Sequence, residues 1–150
     1  GAKKVLCLGD GIGDLTLWLR QAGFNAWYND LAGSETAAFA EFRFWSNLKE
    51  HVPCRLSNGW NPGDLGHFDA IVSLDFLEHV TDVPAWTTAI HQAIVPSGWF
   101  VAQNAFGIGN CTGGSMPMHL PRNDRFERDW DPLLSSLNFR QEGSNWYQRS

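Results

Sequence analysis

Apolar residues along this chain fall into two patterns: short unbroken runs, and longer stretches in which they return every three or four positions. The runs Val5-Leu6-Cys7-Leu8, Phe68-Asp69-Ala70-Ile71-Val72-Ser73-Leu74 and Trp99-Phe100-Val101-Ala102 are too short for helices and read as buried strands. Ala26-Trp27-Tyr28-Asn29-Asp30 is a further short strand that ends in an acid, and Cys54-Arg55-Leu56 is a weaker one. Helical periods lie between them. Leu15, Leu17, Trp18 and Leu19 mark a helix over 14–21, stopped by Gly23. Ser34 can cap a helix over 35–50, where Phe39, Phe42, Trp45 and Leu48 recur at three-residue spacing and are expected in the core. Thr81-Asp82-Val83-Pro84 starts another, with Trp86, Ala89, Ile90, Ala93 and Ile94 as its buried stripe and Pro96-Ser97-Gly98 as its stop.

Past the strand at 99–104 the pattern dissolves. Residues 106–129 read as one long Gly/Pro/polar loop, and a loop of that length in a compact domain is usually functional. Asp131-Pro132 is read as the cap of a short helix over 132–137. Two short runs, 139–142 and 146–149, flank Gly143-Ser144-Asn145 and predict a closing hairpin. Strands alternating with helices imply an α/β fold with a doubly wound, mostly parallel sheet. The terminal hairpin makes the last strand antiparallel.

Composition narrows the partners. One hundred and fifty residues make one domain spanning 1–150. A net charge of −5 without any long Lys/Arg run argues against a nucleic-acid partner. No apolar run is long enough to span a bilayer. Cys7, Cys54 and Cys111 are odd in number and widely spaced, which suits reduced thiols and a cytoplasmic setting rather than a disulfide frame.

The candidate chemistry begins where the first strand runs into Gly9-Asp10-Gly11-Ile12-Gly13. Such a turn leaves backbone N–H groups free at a helix start and lets a ligand approach the main chain without meeting a Cβ. By itself it reads equally as a nucleotide- or nucleoside-binding turn or as a plain strand–helix connection. Four motifs in order raise the first reading: the glycine turn, Asp30 at the end of the second strand, Asp75-Phe76-Leu77-Glu78-His79-Val80 after the next clear strand, and Pro96-Ser97-Gly98 before the one following. Together they resemble the class I S-adenosylmethionine-dependent methyltransferases, in particular the small-molecule members with a Leu-Glu-His-Val signature.

The resemblance implies a Rossmann-like sheet of about seven strands and a cofactor site at Gly9, Asp10, Gly11, Gly13, Asp30, Leu31, Asn58, Gly59, Trp60, Leu74 and Asp75. S-adenosylmethionine would be the donor, S-adenosylhomocysteine the product, and an unidentified small molecule the acceptor. Asp30 would accept the ribose hydroxyls, with an ordinary strand-end acid as the plainer reading. Asn58 and Trp60 would meet adenine, or serve only as turn residues. Cys7 stands where the family usually places an acid for the cofactor ammonium, and Asp10 is the nearest substitute. Members of the family commonly carry a helical N-terminal cap over the acceptor site, whereas this sequence opens on the first strand, so either the cap lies outside it or the site is expected to be open to a large acceptor.

His79 and His119 are the candidate catalytic residues. A buried histidine most often holds the fold together. As a base it would take a proton from the acceptor. A third reading is a divalent metal set: Asp75, Glu78 and His79 at i, i+3 and i+4 on one helical face, completed by His119, offering mixed O/N ligands. Gly107, Gly109, Met116, Met118 and Arg122 place the long loop as an acceptor lid, while the acids between Arg122, Arg125 and Arg128 suggest a self-compensated surface. Two rivals remain. A nicotinamide-binding domain would want its third glycine where Asp14 stands, and a catalytically weak binding module would keep the cofactor site alone.

Overall fold

The computed structural model describes residues 1, 3–54, 65–107 and 119–150. Six strands form one sheet: β1 (Lys4–Leu8), β2 (Asn25–Asn29), β3 (Phe68–Leu74), β4 (Ile94–Gln103), β5 (Phe139–Gly143) and β6 (Trp146–Arg149). Their order is β2-β1-β3-β4-β6-β5. The first four run parallel and the terminal hairpin antiparallel. The weak strand expected at 54–56 is represented among the described residues by a single parallel bridge, Tyr28 to Cys54, on the outer edge of β2. The six strands and this bridge correspond to the expected doubly wound sheet.

Among the described residues, four helices cover the sheet. Helix α1 (Asp14–Gln21) and helix α2 (Glu35–Leu48) lie against β1 and β2. Helix α3 (Val83–Ala93) and helix α4 (Phe126–Ser136) lie on the other face. Alternation along the strands divides the core accordingly. Leu6, Leu8, Ile71, Phe100 and Tyr147 turn toward α3 and α4, whereas Val5, Cys7, Ala70 and Val72 turn toward α1.

The capping chemistry holds where it was read. Ser34 Oγ accepts the Ala37 N–H at 3.1 Å, and Asp82 Oδ1 accepts the Ala85 N–H at 2.9 Å. The stop at 96–98 is a bulge within β4. Phe68 pairs with Ile94 and Ala70 with Trp99, so residues 95–98 loop out, and Gly98 lies so close to the Asp69 carbonyl that a Cβ would sit 2.7 Å from it.

Two expectations fail. Phe39, Phe42 and Trp45 are 49%, 65% and 52% exposed, and α2 buries Ala37, Ala40 and Phe44 instead. Residues three apart drift by roughly 60° around a 3.6-residue helix, so a strict three-residue repeat leaves the core face. The stretch 119–129 is not loop. A 3₁₀ turn occupies Pro121–Asn123, and α4 begins at Phe126 with Pro132 inside it. Phe126 and Leu134 are buried in the α3-side core, with Trp130, Leu133 and Leu137 packed against it. That packing outweighs the hydrogen bond forgone at Pro132. Of the expected lid, residues 108–118 lie outside the described residues.

Candidate functional site

The parallel register brings the ends of β1, β2 and β3 to one edge, with Leu8 opposite both Asn29 and Ser73. The chain leaves β1 for β2 on one side and returns to β3 on the other. This is the crossover point where sheets of this kind leave a crevice. The glycine turn, Asp30 and Asp75 all follow these strand ends.

Gly9, Gly11 and Gly13 have φ of 62°, 53° and 78°, in the left-handed region. Their surroundings differ. A Cβ on Gly9 would lie 2.4 Å from Phe76 and one on Gly13 2.5 Å from Phe44, so both are close-packing positions. A Cβ on Gly11 would meet nothing within 4 Å. Gly11 is therefore the member of the turn whose backbone faces open space. A crevice of about 330 Å³ lies there, lined by residues of the turn together with Leu15, Val72 and Leu74.

The turn is held from three sides. Asp30 Oδ2 accepts the Gly11 N–H at 2.7 Å, and Oδ1 accepts the Leu31 N–H at 2.6 Å. The buried Tyr28 hydroxyl donates to the Gly11 carbonyl at 2.6 Å. Arg43, from α2, donates to the Ile12 carbonyl at 2.7 Å and pairs with Asp14 at 2.6 Å. Tyr28 and Arg43 were not legible as site residues. Tyr28 read as part of an apolar strand, and Arg43 lies 31 residues from its partner in sequence.

Asp10 lines the crevice and also holds the start of the following helix. Its two oxygens accept from Leu15 N–H at 3.1 Å and Thr16 N–H at 2.7 Å, closing the start of α1, and burial pushes its carboxyl up. Cys7 is buried, which pushes its thiol up to about 12. Leu31 and Leu74 are 45% and 42% exposed, and Leu74 walls the crevice. Asn58, Gly59 and Trp60 lie outside the described residues.

A second group gathers where β3 ends. Asp75 has φ 51° and donates its N–H to the Gln103 carbonyl at 2.9 Å. The helical face expected for Asp75, Glu78 and His79 does not form. Leu77–His79 is a single 3₁₀ turn, and Asp75 precedes it in a left-handed conformation. Glu78 is nonetheless buried, and its Oε1 accepts the Ala105 N–H at 2.8 Å. Burial and the neighbouring Asp75 carboxylate both push the Glu78 carboxyl up.

His119 is brought back to this turn from 40 residues downstream. Leu120 N–H donates to the Glu78 carbonyl at 3.2 Å. The buried Asn123 donates from Nδ2 to the carbonyls of Val80 at 2.7 Å and Glu78 at 3.1 Å. The rings of His79 and His119 then meet edge to face, with centroids 4.7 Å apart. Asn123 is a structural residue the sequence reading passed over, because it was placed in loop.

The family described as a methyltransferase domain matches residues 2–149. No curated protein matches the chain. Among solved structures, the YcgJ protein of Bacillus subtilis is similar with a TM-score of 0.70 and 15% identity over 93% of this chain and 62% of its own. An S-adenosylmethionine-dependent methyltransferase of Mesorhizobium loti is similar with a TM-score of 0.59 and 25% identity over 72% of this chain and 49% of its own. The magnesium protoporphyrin IX methyltransferase of Synechocystis, solved with bound S-adenosylhomocysteine, has a TM-score of 0.66 and 18% identity over 99% of this chain and 74% of its own. The chain thus spans about three fifths of the Bacillus protein and half of the Mesorhizobium one.

Proposed function

The chain belongs to the methyltransferase-domain family, and on that premise we propose that it binds S-adenosylmethionine at the glycine turn and passes the methyl group to a small-molecule acceptor. The observation that carries this is Gly11, which lines a crevice of about 330 Å³ and whose N–H is held by the Asp30 carboxylate at 2.7 Å. A nucleoside without phosphates suits such a place. It needs a carboxylate for the ribose diol and bare backbone for the rest, whereas the Asp14 carboxylate at the start of α1 opposes a pyrophosphate.

In this reading Asp30 keeps its bonds to Gly11 and Leu31 and accepts the ribose hydroxyls. Residues 9–11 offer main chain to the methionine portion, and Leu31 and Leu74 supply apolar walls. Cys7, a buried thiol, brings no carboxylate to the ammonium group, and Asp10, which lines the crevice, is the nearest acid for it.

The sulfonium supplies an activated methyl and a good leaving group. A lone pair on the acceptor forms the new bond to the methyl carbon as the carbon–sulfur bond breaks, and S-adenosylhomocysteine leaves. The protein's work is to orient the acceptor and exclude water. A protonated nucleophile must also lose its proton. His79 and His119, beyond the end of β3, are the groups placed to meet the acceptor.

Calorimetry with S-adenosylhomocysteine tests the reading. Stoichiometric micromolar binding that is lost in Asp30→Ala, with none to NAD, supports it. Binding without turnover over a panel of phenols, amines and thiols would leave a binding module. Absence of binding overturns the reading.

A further inference from the structure

Among the described residues, Glu78 Oε2 and His119 Nδ1 are buried atoms with no hydrogen-bond partner. A buried polar atom left without a partner is unfavourable, and two in one place call for a common explanation. Glu78 is 1% exposed, so water does not solvate its carboxylate. The neighbour of that carboxyl is another acid, Asp75. None of the ion pairs among the described residues involves Asp75 or Glu78. What Glu78 and His119 share is the ability to donate an electron pair to a cation.

We propose that Glu78, His79 and His119 bind a divalent transition ion, zinc or a close relative, just beyond the end of β3. One ligand atom from each lies within 4.8 Å of the other two. Ligands on a tetrahedral ion at about 2.0–2.2 Å stand about 3.3 Å apart, and rotation of the His119 side chain draws the set together. Two imidazoles and one carboxylate suit zinc, manganese or cobalt rather than calcium or magnesium. Three protein ligands leave at least one position open, as in sites where an ion meets a substrate.

The surroundings are built to hold the three residues together. Glu78 is fixed through Oε1 by the Ala105 N–H, which leaves Oε2 as the ligand. Residues 119–123 are tied to the 77–80 turn by Leu120 and by Asn123. This outer layer decides where the donors point.

Binding of the ion stands independently of the cofactor reading, while its part in catalysis rests on it. An ion here would take a hydroxyl or amine of the acceptor as its open ligand and lower that group's pKa, so the proton leaves to water. The histidines then act as ligands rather than as free bases.

The test uses untagged, chelator-washed protein titrated with cobalt(II) and followed by visible absorption and calorimetry. The expected result is one equivalent bound, a ligand-field spectrum, and displacement by zinc. His119→Ala and His79→Ala should each weaken cobalt binding at least thirtyfold. His51→Ala and His67→Ala, at exposed positions, should leave it unchanged. Glu78→Gln keeps an acceptor for Ala105 and should weaken binding too, with circular dichroism checking its fold. Failure of the wild-type protein to bind one equivalent, or equal binding in both histidine variants, overturns the proposal. S-adenosylhomocysteine titrated in parallel separates a failed metal site from a failed cofactor site.

Discussion

Asp30 Oδ2 accepts the Gly11 N–H at 2.7 Å, across 19 residues of sequence. One carboxylate therefore shapes the glycine turn and, in the proposed complex, would also accept the ribose hydroxyls. Replacing it should do two kinds of damage. Asp30→Ala should weaken S-adenosylhomocysteine roughly tenfold to a hundredfold, the size expected for lost hydrogen bonds to a charged group. Asp30→Asn, which keeps an acceptor, should fall between. Calorimetry on the three proteins measures both effects.

The glycines of the turn should respond unequally to alanine. Gly9→Ala meets a left-handed φ of 62° and a contact of 2.4 Å with Phe76, and should cost about 2–4 kcal/mol. Gly11→Ala meets φ 53° but open space, and should cost about 1–2 kcal/mol. Its larger effect should be on ligand affinity. Urea unfolding beside ligand titration separates the two; equal loss of stability in both variants would contradict this account.

Asn123→Ala should unfold at lower urea, by about 2–3 kcal/mol, because the carbonyls of Val80 and Glu78 lose their side-chain donor. The same variant should free His119 from His79. Histidine ring resonances in NMR spectra should then lose the mutual shift expected of rings 4.7 Å apart.

Alkaline stability should carry a signature of Cys7. Its thiol ionises near 9.0 when unfolded and at about 12 in the folded chain, because burial disfavours the thiolate. Between those values the folded state holds the proton that the unfolded state has lost, so stability falls as pH rises. Below 9 the group contributes nothing to the slope. Cys7→Ala should flatten the decline of urea midpoints between pH 9 and 10.5 relative to wild type. Parallel curves would mean that Cys7 does not titrate as described.

The strands were legible in the sequence because solid apolar runs flanked by turn residues leave little choice; Phe68–Leu74 has the predicted bounds. Ser34 and Asp82 marked their helices through side chains that act locally. Helix α2 shows the limit. Size suggested Phe39, Phe42 and Trp45 for the core, but Ala40 and Phe44 occupy the side that lies against Gly13. Which residues face the core there is set by the helix's closeness to the glycine turn, which periodicity alone does not express. Helix α4 was misread because Pro132 looked like a beginning. Phe126, Trp130 and Leu134 carry its real period. At the site, Asp30 and the glycines could be read from position. The meeting of Glu78, His79 and His119 depends on Asn123 and on a chain reversal that no local pattern announces.

Strand β6 lies between β4 and β5, and Arg149 donates to the Ile94 carbonyl where β4 begins. During synthesis the parallel strands emerge first. The nascent sheet must therefore wait with β4 bare, its peptide groups available to any passing extended segment, until residues 146–149 have left the ribosome. Protection from mispairing is thus most needed late in translation, when nearly the whole domain has already been made.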